Sequence, residues 1–312
     1  MASLNRPSLL VLGGTGFIGR HIINKAVYKR WKVTCASLSL PNKKNRNHQV
    51  KYYKVDLKSF SSVKRKLNKP FNYIINLAGY INYSNSKGNY NKIIREHFIS
   101  VKNITKVIPR KNLKKFVQIG SSAEYGLEKA PQSEKTKLSP KTTYSLAKAK
   151  TTNYLQKIYK KEKYPFAIAR LFLTYGPGQK KDRFIPQIIN GCLKNKRFPT
   201  TSGEQIRDFC YIDDTVSAIL LILTKTKTIG EVFNVASGIP IKIKAVIHLI
   251  NKIVGMGTPE FNSRKLRDDE NEVLYADIKK IKKILNWKPK TQLLKGLKKT
   301  IKAFQANDNK KS

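Results

Sequence analysis

Tyr144 and Lys148 stand four residues apart in TTYSLAKAK, residues 142–150. On a helix that spacing puts both side chains on one face. A phenol with an ordinary pKa of about 10 is a poor acid–base group at neutral pH. A neighbouring ammonium stabilises the phenolate and lowers that value. Such a tyrosine can exchange a proton with an alcohol or ketone oxygen while hydride moves to or from a nicotinamide. In a lysine-rich chain a Tyr-x-x-x-Lys pair also arises by chance. Here it follows GSSAEYG, residues 120–126, in which Ser121 would lie at the carboxyl edge of a strand and hydrogen-bond the same oxygen.

The elements that must position this chemistry begin at Leu9–Gly19, LLVLGGTGFIG. An apolar strand there runs into glycines at 13, 16 and 19, and a helical pattern follows with Ile22, Ile23, Ala26 and Val27 on one face. Strand, glycine turn and helix start make a phosphate cradle. Gly13 permits the sharp turn, Gly16 a close approach to a pyrophosphate, and Gly19 tight helix–strand packing. Thr15, Phe17 and Ile18 complete the cofactor-binding turn. The spacing is GxxGxxG, not the generic GxGxxG.

Further strands are expected at 32–39, 50–55, 71–77 and 116–119, with helices at 61–67 and 93–108 between them. Alternating strands and helices predict a parallel, doubly wound sheet, and continuous apolar runs suit strands buried on both faces. An acid at the end of the second strand would bind the adenosine ribose and favour NAD. Ser37 stands there instead, with Lys43, Lys44 and Arg46 shortly after. That combination suits a 2′-phosphate, so the expected cofactor is NADP or NAD, with NADP favoured. Asp56-Leu57 closes the third strand, where the acid could accept from the adenine amino group. Leu77, Ala78 and Gly79 close the fourth, where small residues let the backbone pass near the cofactor.

The chain has 312 residues, 40% of them hydrophobic, enough for a large core. Three scattered cysteines, 35, 192 and 210, suggest a reducing compartment and neither a disulfide frame nor a zinc site. No apolar run is long enough for a bilayer and the N-terminus has no secretory pattern, so the expected address is the cytoplasm. The net charge is +44. A polyanionic partner would explain it. The lysines are spread throughout, however, without a dense block interleaved with aromatics, as in lysine-, asparagine- and isoleucine-rich chains generally. Nucleic acid is therefore not the expected partner.

Taken in order, these motifs resemble the extended short-chain dehydrogenase/reductases, in the nucleotide-sugar epimerase/dehydratase family. The resemblance rests on GGTGFIG, GSSAEYG, Tyr144 with Lys148, RLFLTYGPGQ at 170–179, RDFCYIDD at 207–214 and ADIKKIKKILNWKP at 276–289. It implies a Rossmann-type α/β domain, residues 1–168. A smaller C-terminal nucleotide-sugar lobe would follow at 169–305, with some segments returning to the Rossmann sheet, and then a polar tail from 306. It implies a catalytic serine five places before Gly126, which is Ser121, with Ser122 as the adjacent alternative on the substrate. It implies that Arg207 and Arg267 grip the nucleotide diphosphate, with Arg183 a weaker candidate, and that two copies pair through helices near 93–107 and 143–159. Guanidinium forks suit paired phosphate oxygens.

The chain departs from the family pattern in three places. Ser122-Ala123 replace the Asp-Glu pair of sugar-nucleotide 4,6-dehydratases, and Glu124, one place late, would point elsewhere from a regular strand. Leu173 replaces an asparagine before Tyr-Gly-Pro, and His97 stands where an asparagine is common. Tyr175 and Trp287 read as core, and Asp213-Asp214 as the cap of a helix over 215–223. The expected reaction is reduction of a 4-keto-6-deoxy sugar nucleotide by NADPH, as in abequose- or paratose-type synthases. The alternative is 4-epimerisation with tightly held NAD by the same three residues.

Overall fold

The computed structural model describes residues 6–43, 46–79, 89–266 and 270–308. The chain divides into two compact units: Met1–Gly126, Leu138–Arg170 and Val216–Phe233 form one; Leu127–Lys137, Leu171–Thr215 and Asn234–Ser312 the other.

The first unit is built on a seven-stranded sheet. Its strands are β1 (Ser8–Leu12), β2 (Lys32–Ser37), β3 (Val50–Lys54), β4 (Tyr73–Asn76), β5 (Lys115–Ser121), β6 (Phe166–Leu171) and, later in the chain, β10 (Val232–Val235). The order across the sheet is β10-β6-β5-β4-β1-β2-β3. β1 pairs in parallel with β2, Leu9 opposite Val33, and with β4, Leu9 opposite Tyr73. The chain therefore leaves β1 in one direction, through β2 and β3, and returns on the other side at β4. The carboxyl ends of β1 and β4 flank this reversal, which is where ligands bind in open α/β sheets. Leu9, Leu10, Val11 and Leu12 are all fully buried, as expected of a strand covered on both faces.

The helices of this unit are α1 (Phe17–Tyr28), α2 (Phe60–Leu67), α3 (Tyr90–Ile94), α4 (Ser100–Val107) and α5 (Thr143–Glu162). α1 buries Gly19, Ile22, Ile23 and Ala26. α5 starts where Thr142 accepts from the Ser145 N–H and Ser145 answers to the Thr142 N–H. This capping box places Tyr144 in the first turn. The single helix expected over 93–108 is broken by a π-turn at Arg95–Ile99. Such a turn disrupts the i→i−4 ladder, and the His97 carbonyl accepts from Thr151 Oγ1 on α5 at 2.9 Å.

The second unit holds β7 (Leu173–Tyr175), β8 (Arg197–Pro199), β9 (Ile206–Tyr211), β11 (Pro240–Lys242), β12 (Thr258–Glu260) and β13 (Val273–Leu274). β9 is central: β11, β13 and β7 all pair with it, and β12 pairs separately with β8. The apolar stretch from Phe166 to Tyr175 is two strands, β6 and β7, and Leu173 opens the second. α6 (Phe184–Leu193), α8 (Ile243–Val254), α9 (Lys279–Leu285) and α10 (Leu293–Asp308) also lie here, while α7 (Ile212–Thr224) leads back to the first unit.

Asp213 and Asp214 fall within the first turn of α7 instead of capping it, because β9 passes into the helix without a break. Asp214 accepts the N–H groups of Lys290 and Thr291 at 3.0 and 2.9 Å, fastening the segment before α10. The buried Asp208 binds the segments around it in the same way, accepting from Ser237 N, Ser237 Oγ, Gly238 N and Ala276 N. Tyr175 and Trp287 are buried, 2% and 4% exposed, so both are core. α10 runs on to Asp308, past the expected start of the tail at 306.

Candidate active site

The turn after β1 is shaped by what a side chain there would strike. Gly13 has φ +71°, and a Cβ on it would stand 2.8 Å from the Ala78 nitrogen. That position thus joins the ends of β1 and β4 and excludes every other residue type. A Cβ on Gly19 would stand 2.6 Å from Gly14 Cα, so the third glycine seats α1 against the turn. Gly16 differs. It caps α1 in extended geometry with no side-chain hydrogen bond, and a Cβ on it would meet only the Gly13 carbonyl, at 3.3 Å. The space beside it is open, and no acid stands in the first turn of α1. An uncapped, acid-free helix N-terminus beside an open glycine favours an anion. The residues present fit a dinucleotide pyrophosphate.

Around this turn, Leu77 N donates to the Leu12 carbonyl, and Ala78 N to Asn76 Oδ1. Gly79 has φ +109°, and a Cβ there would stand 2.2 Å from His97 Cε1. His97 therefore closes directly over the backbone after β4. Its ring meets Tyr144 edge-on, with centroids 5.1 Å apart. The π-turn that periodicity could not reveal is what delivers this side chain.

Tyr144 is 5% exposed and packs with Ile93, Ala147 and Ala123. The Lys148 ammonium lies 5.8 Å from the centre of the Tyr144 ring and donates to the Ile119 carbonyl of β5 at 2.8 Å. Burial pulls the Lys148 pKa down to about 8, with the Glu124 carboxylate acting in the opposite direction. Ser121 ends β5, and its Oγ accepts from Ala123 N at 3.2 Å. Ser122 is buried in the 3-10 turn that follows. Tyr144 and Lys148 are thus brought together, beside the β5 end that carries Ser121.

Glu124 does not turn away. The 3-10 turn folds it back under β5, where Oε1 accepts from Ser121 N at 2.8 Å. Oε2 accepts from Thr152 Oγ1 at 2.7 Å and from Arg170 at 2.9 Å. Arg170 also donates to the Tyr125 hydroxyl at 2.8 Å. Glu124 and Arg170 are fully enclosed, 0% and 2% exposed. Sequence reasoning passed over Arg170, although a lone charge inside the apolar run FAIARLFL signals a buried partner.

Ser37 is buried, and its Oγ lies 3.5 Å from Thr15 N, so it faces the glycine turn. Arg46 donates to the Pro41 carbonyl and lies over Tyr52. Lys44 is outside the described residues. Asp56 is engaged locally, accepting from Lys58 N at 3.0 Å, while Leu57 is buried and its carbonyl accepts from Asn103.

In the second unit Arg207 is 6% exposed and paired with Glu270 at 2.8 Å, and it also donates to the Ile206 and Glu272 carbonyls. Arg183 precedes α6, 3.8 Å from Asp182. Arg267 and most of the loop at 80–90 lie outside the described residues. Among the described residues no cluster of three or more His, Cys, Asp or Glu could hold a metal, and no helix is long and apolar enough to cross a membrane.

An open parallel sheet, a glycine cradle at its reversal point and a Tyr–Lys pair beside it define an extended short-chain dehydrogenase/reductase. Residues 9–236 match the NAD dependent epimerase/dehydratase family, and the chain belongs to that family. It is 30% identical over 304 residues to the uncharacterized UDP-glucose epimerase YtcB of Bacillus subtilis, covering 93% of this chain and 95% of that protein. The crystal structure of UDP-glucose 4-epimerase with UDP-glucose from Thermotoga maritima superposes with a TM-score of 0.88 at 24% identity, covering 96% of this chain and 99% of that one. The Thermus thermophilus UDP-glucose 4-epimerase complex with NAD superposes at 0.85 and 20% identity, with the same coverage.

Proposed function

We propose that the protein interconverts the C4 epimers of a nucleotide-activated sugar, with a nicotinamide dinucleotide held on the Gly13–Gly19 turn. The observation that carries this reading is the Tyr144–Lys148 pair at the end of β5, in a family member whose near-full-length relative carries an epimerase name. The bound nicotinamide would accept hydride from C4 of the sugar and return it to the other face.

The chain's own residues move and steady the proton. Tyr144 takes the proton of the C4 hydroxyl and gives it back. Lys148, as an ammonium, favours the phenolate form of Tyr144. Ser121, whose oxygen already accepts from Ala123 N, has its hydroxyl proton left for the C4 oxygen. The amides around Gly16 and the start of α1 hold the pyrophosphate. Arg183, Arg207 and Arg267 remain the candidates for the sugar nucleotide's phosphates. Arg207 would have to share its guanidinium with Glu270.

A second reading, NADPH-dependent reduction of a 4-keto-6-deoxy sugar nucleotide, is favoured by one observation. The end of β2 is neutral, with Ser37 where a ribose-binding acid would stand. The two separate in a single experiment. Purified protein is incubated with UDP-glucose, UDP-glucuronate, their dTDP counterparts and a panel of 4-keto-6-deoxy nucleotide sugars, with NAD and with NADPH. Products are read by NMR and reduced cofactor by absorbance. Interconversion of C4 epimers without net cofactor consumption supports the epimerase. Steady NADPH oxidation with 4-keto substrates, and no interconversion, replaces it with the reductase.

A further inference from the structure

A chain of buried amides that the reaction above does not use runs between the glycine turn and Lys148. The β4–β5 register closes on Asn76 opposite Gln118, and the two residues are 1% and 3% exposed. Asn76 Nδ2 donates to Gln118 Oε1 at 2.8 Å. Gln118 Nε2 donates at 2.9 Å to the Ile119 carbonyl, the same oxygen that receives Lys148 Nζ at 2.8 Å. At the other end Asn76 Oδ1 accepts from Ala78 N at 3.1 Å, and that nitrogen is the atom packed against Gly13. Four hydrogen bonds thus join the Ala78 backbone to the lysine.

We propose that Asn76 and Gln118 are positioning residues of the active site, an amide relay that ties the backbone beside the dinucleotide turn to the carbonyl that holds the Lys148 ammonium. Their role rests on the reading of Tyr144 and Lys148 given above. Burying an amide among apolar groups is costly unless it is paired, and the flanking residues on the two strands, Ile74, Ile75, Phe116 and Val117, are fully buried. The ends of the chain dictate how both amides point. The Ala78 N–H requires an oxygen and the Ile119 carbonyl requires an N–H, so each amide has a single orientation that satisfies the chain. A carbonyl oxygen offers two lone pairs. With Gln118 on one of them, the ammonium is confined to the other, and the Lys148 head group is held in one direction beside Tyr144.

Gln118→Met keeps the length of the side chain and removes both of its polar contacts. Asn76→Leu breaks the same chain from the other strand and is read identically if the first variant does not fold. In the double variant neither amide is left facing an apolar group in place of its partner. Two residues that act as one unit should lose no more kcat together than the worse single variant, within about twofold. Losses that multiply would show independent effects and overturn the relay.

Lys148 can be followed directly, with a control in the same strand. An enclosed, hydrogen-bonded ammonium exchanges its hydrogens with water slowly enough to be seen by 1H–15N NMR in protein labelled at the lysine Nζ. Lys115, at the start of β5, is held by the Ile222 and Lys225 carbonyls and the Thr228 hydroxyl, outside the relay. Each signal is assigned by its loss in Lys148→Arg or Lys115→Arg, at about pH 6, where both side chains are charged. In Gln118→Met the Lys148 hydrogens should exchange about tenfold faster or more, while those of Lys115 change by less than about twofold. In turnover assays kcat should fall about tenfold, with KM for the sugar nucleotide within about threefold. Unchanged exchange at Lys148 in the folded variant overturns the proposal. So does a rise shared equally by Lys115, which would show a loosened sheet. Because the exchange rate needs no turnover, it stands or falls separately from the choice of reaction. Wild type that turns over no nucleotide sugar would remove the function and leave the link from Gln118 to Lys148 still measurable.

Discussion

Two glycines in one turn should fail in opposite ways. In Gly13→Ala the new Cβ meets the Ala78 backbone at 2.8 Å, with Ala78 Cα at 2.9 Å, and neither is a flexible side chain that could step aside. The φ of +71° adds a left-handed penalty of about 1–2 kcal/mol. Overpacking a tight site adds about 1–3 kcal/mol. The sum, about 2–5 kcal/mol, is a large part of the total of roughly 5–15 kcal/mol that holds an ordinary domain folded.

In Gly16→Ala the backbone, at φ −72° and ψ 176°, suits any L-residue, and the single close neighbour is the Gly13 carbonyl at 3.3 Å. Stability should change by less than about 1 kcal/mol. The methyl would occupy the space proposed for the pyrophosphate, so dinucleotide Kd should rise at least tenfold, about 1.4 kcal/mol. Urea unfolding and calorimetric titration with NAD and NADP measure both quantities. A Gly16→Ala protein that binds dinucleotide like wild type refutes the placement of the cofactor. A Gly13→Ala protein as stable as wild type refutes the close junction of β1 and β4.

Other outcomes follow from the same geometry. Tyr144→Phe should lower kcat by about 10²–10⁴-fold with an unchanged circular dichroism spectrum, since a positioned acid–base group contributes on that scale. Lys148, with its pKa drawn down to about 8, is charged below that value and neutral above it. Activity that needs the ammonium should therefore decline as pH rises through about 8, which a pH–kcat profile reads. Arg170→Met alone leaves Glu124 buried without its main partner and should destabilise by about 3–5 kcal/mol in thermal or urea unfolding. Asp208→Ala strips acceptors from the N–H groups of Ser237, Gly238 and Ala276 and should cost about 3–5 kcal/mol, seen as early loss of protection in that segment by hydrogen exchange.

What the sequence disclosed was whatever depends on near neighbours. The strand–turn–helix at 8–28 and the shared face of Tyr144 and Lys148 follow from local spacing, and each is where it was expected. Interactions between distant positions were not legible. Glu124 meets Arg170 across 46 residues, and Asp214 binds Lys290 and Thr291 across 76 and 77. No periodicity encodes those distances. The π-turn was missed for a different reason. Its apolar pattern differs from an α-helix by one inserted residue, and the freed His97 carbonyl is taken up by Thr151, far along the chain. Leu173 opens a new strand two residues after β6 ends, inside an apolar run with no turn residue to mark the break.

The central claim is that Tyr144 works beside a hydride that leaves and returns to the same carbon. It is tested most directly by turning over a sugar nucleotide carrying deuterium at C4 and following the product by NMR and mass spectrometry. The account predicts C4 epimers that keep the deuterium, no net change in cofactor absorbance, and loss of both isotope transfer and product in Tyr144→Phe. Loss of the deuterium to solvent, or product that forms unchanged in Tyr144→Phe, would contradict it.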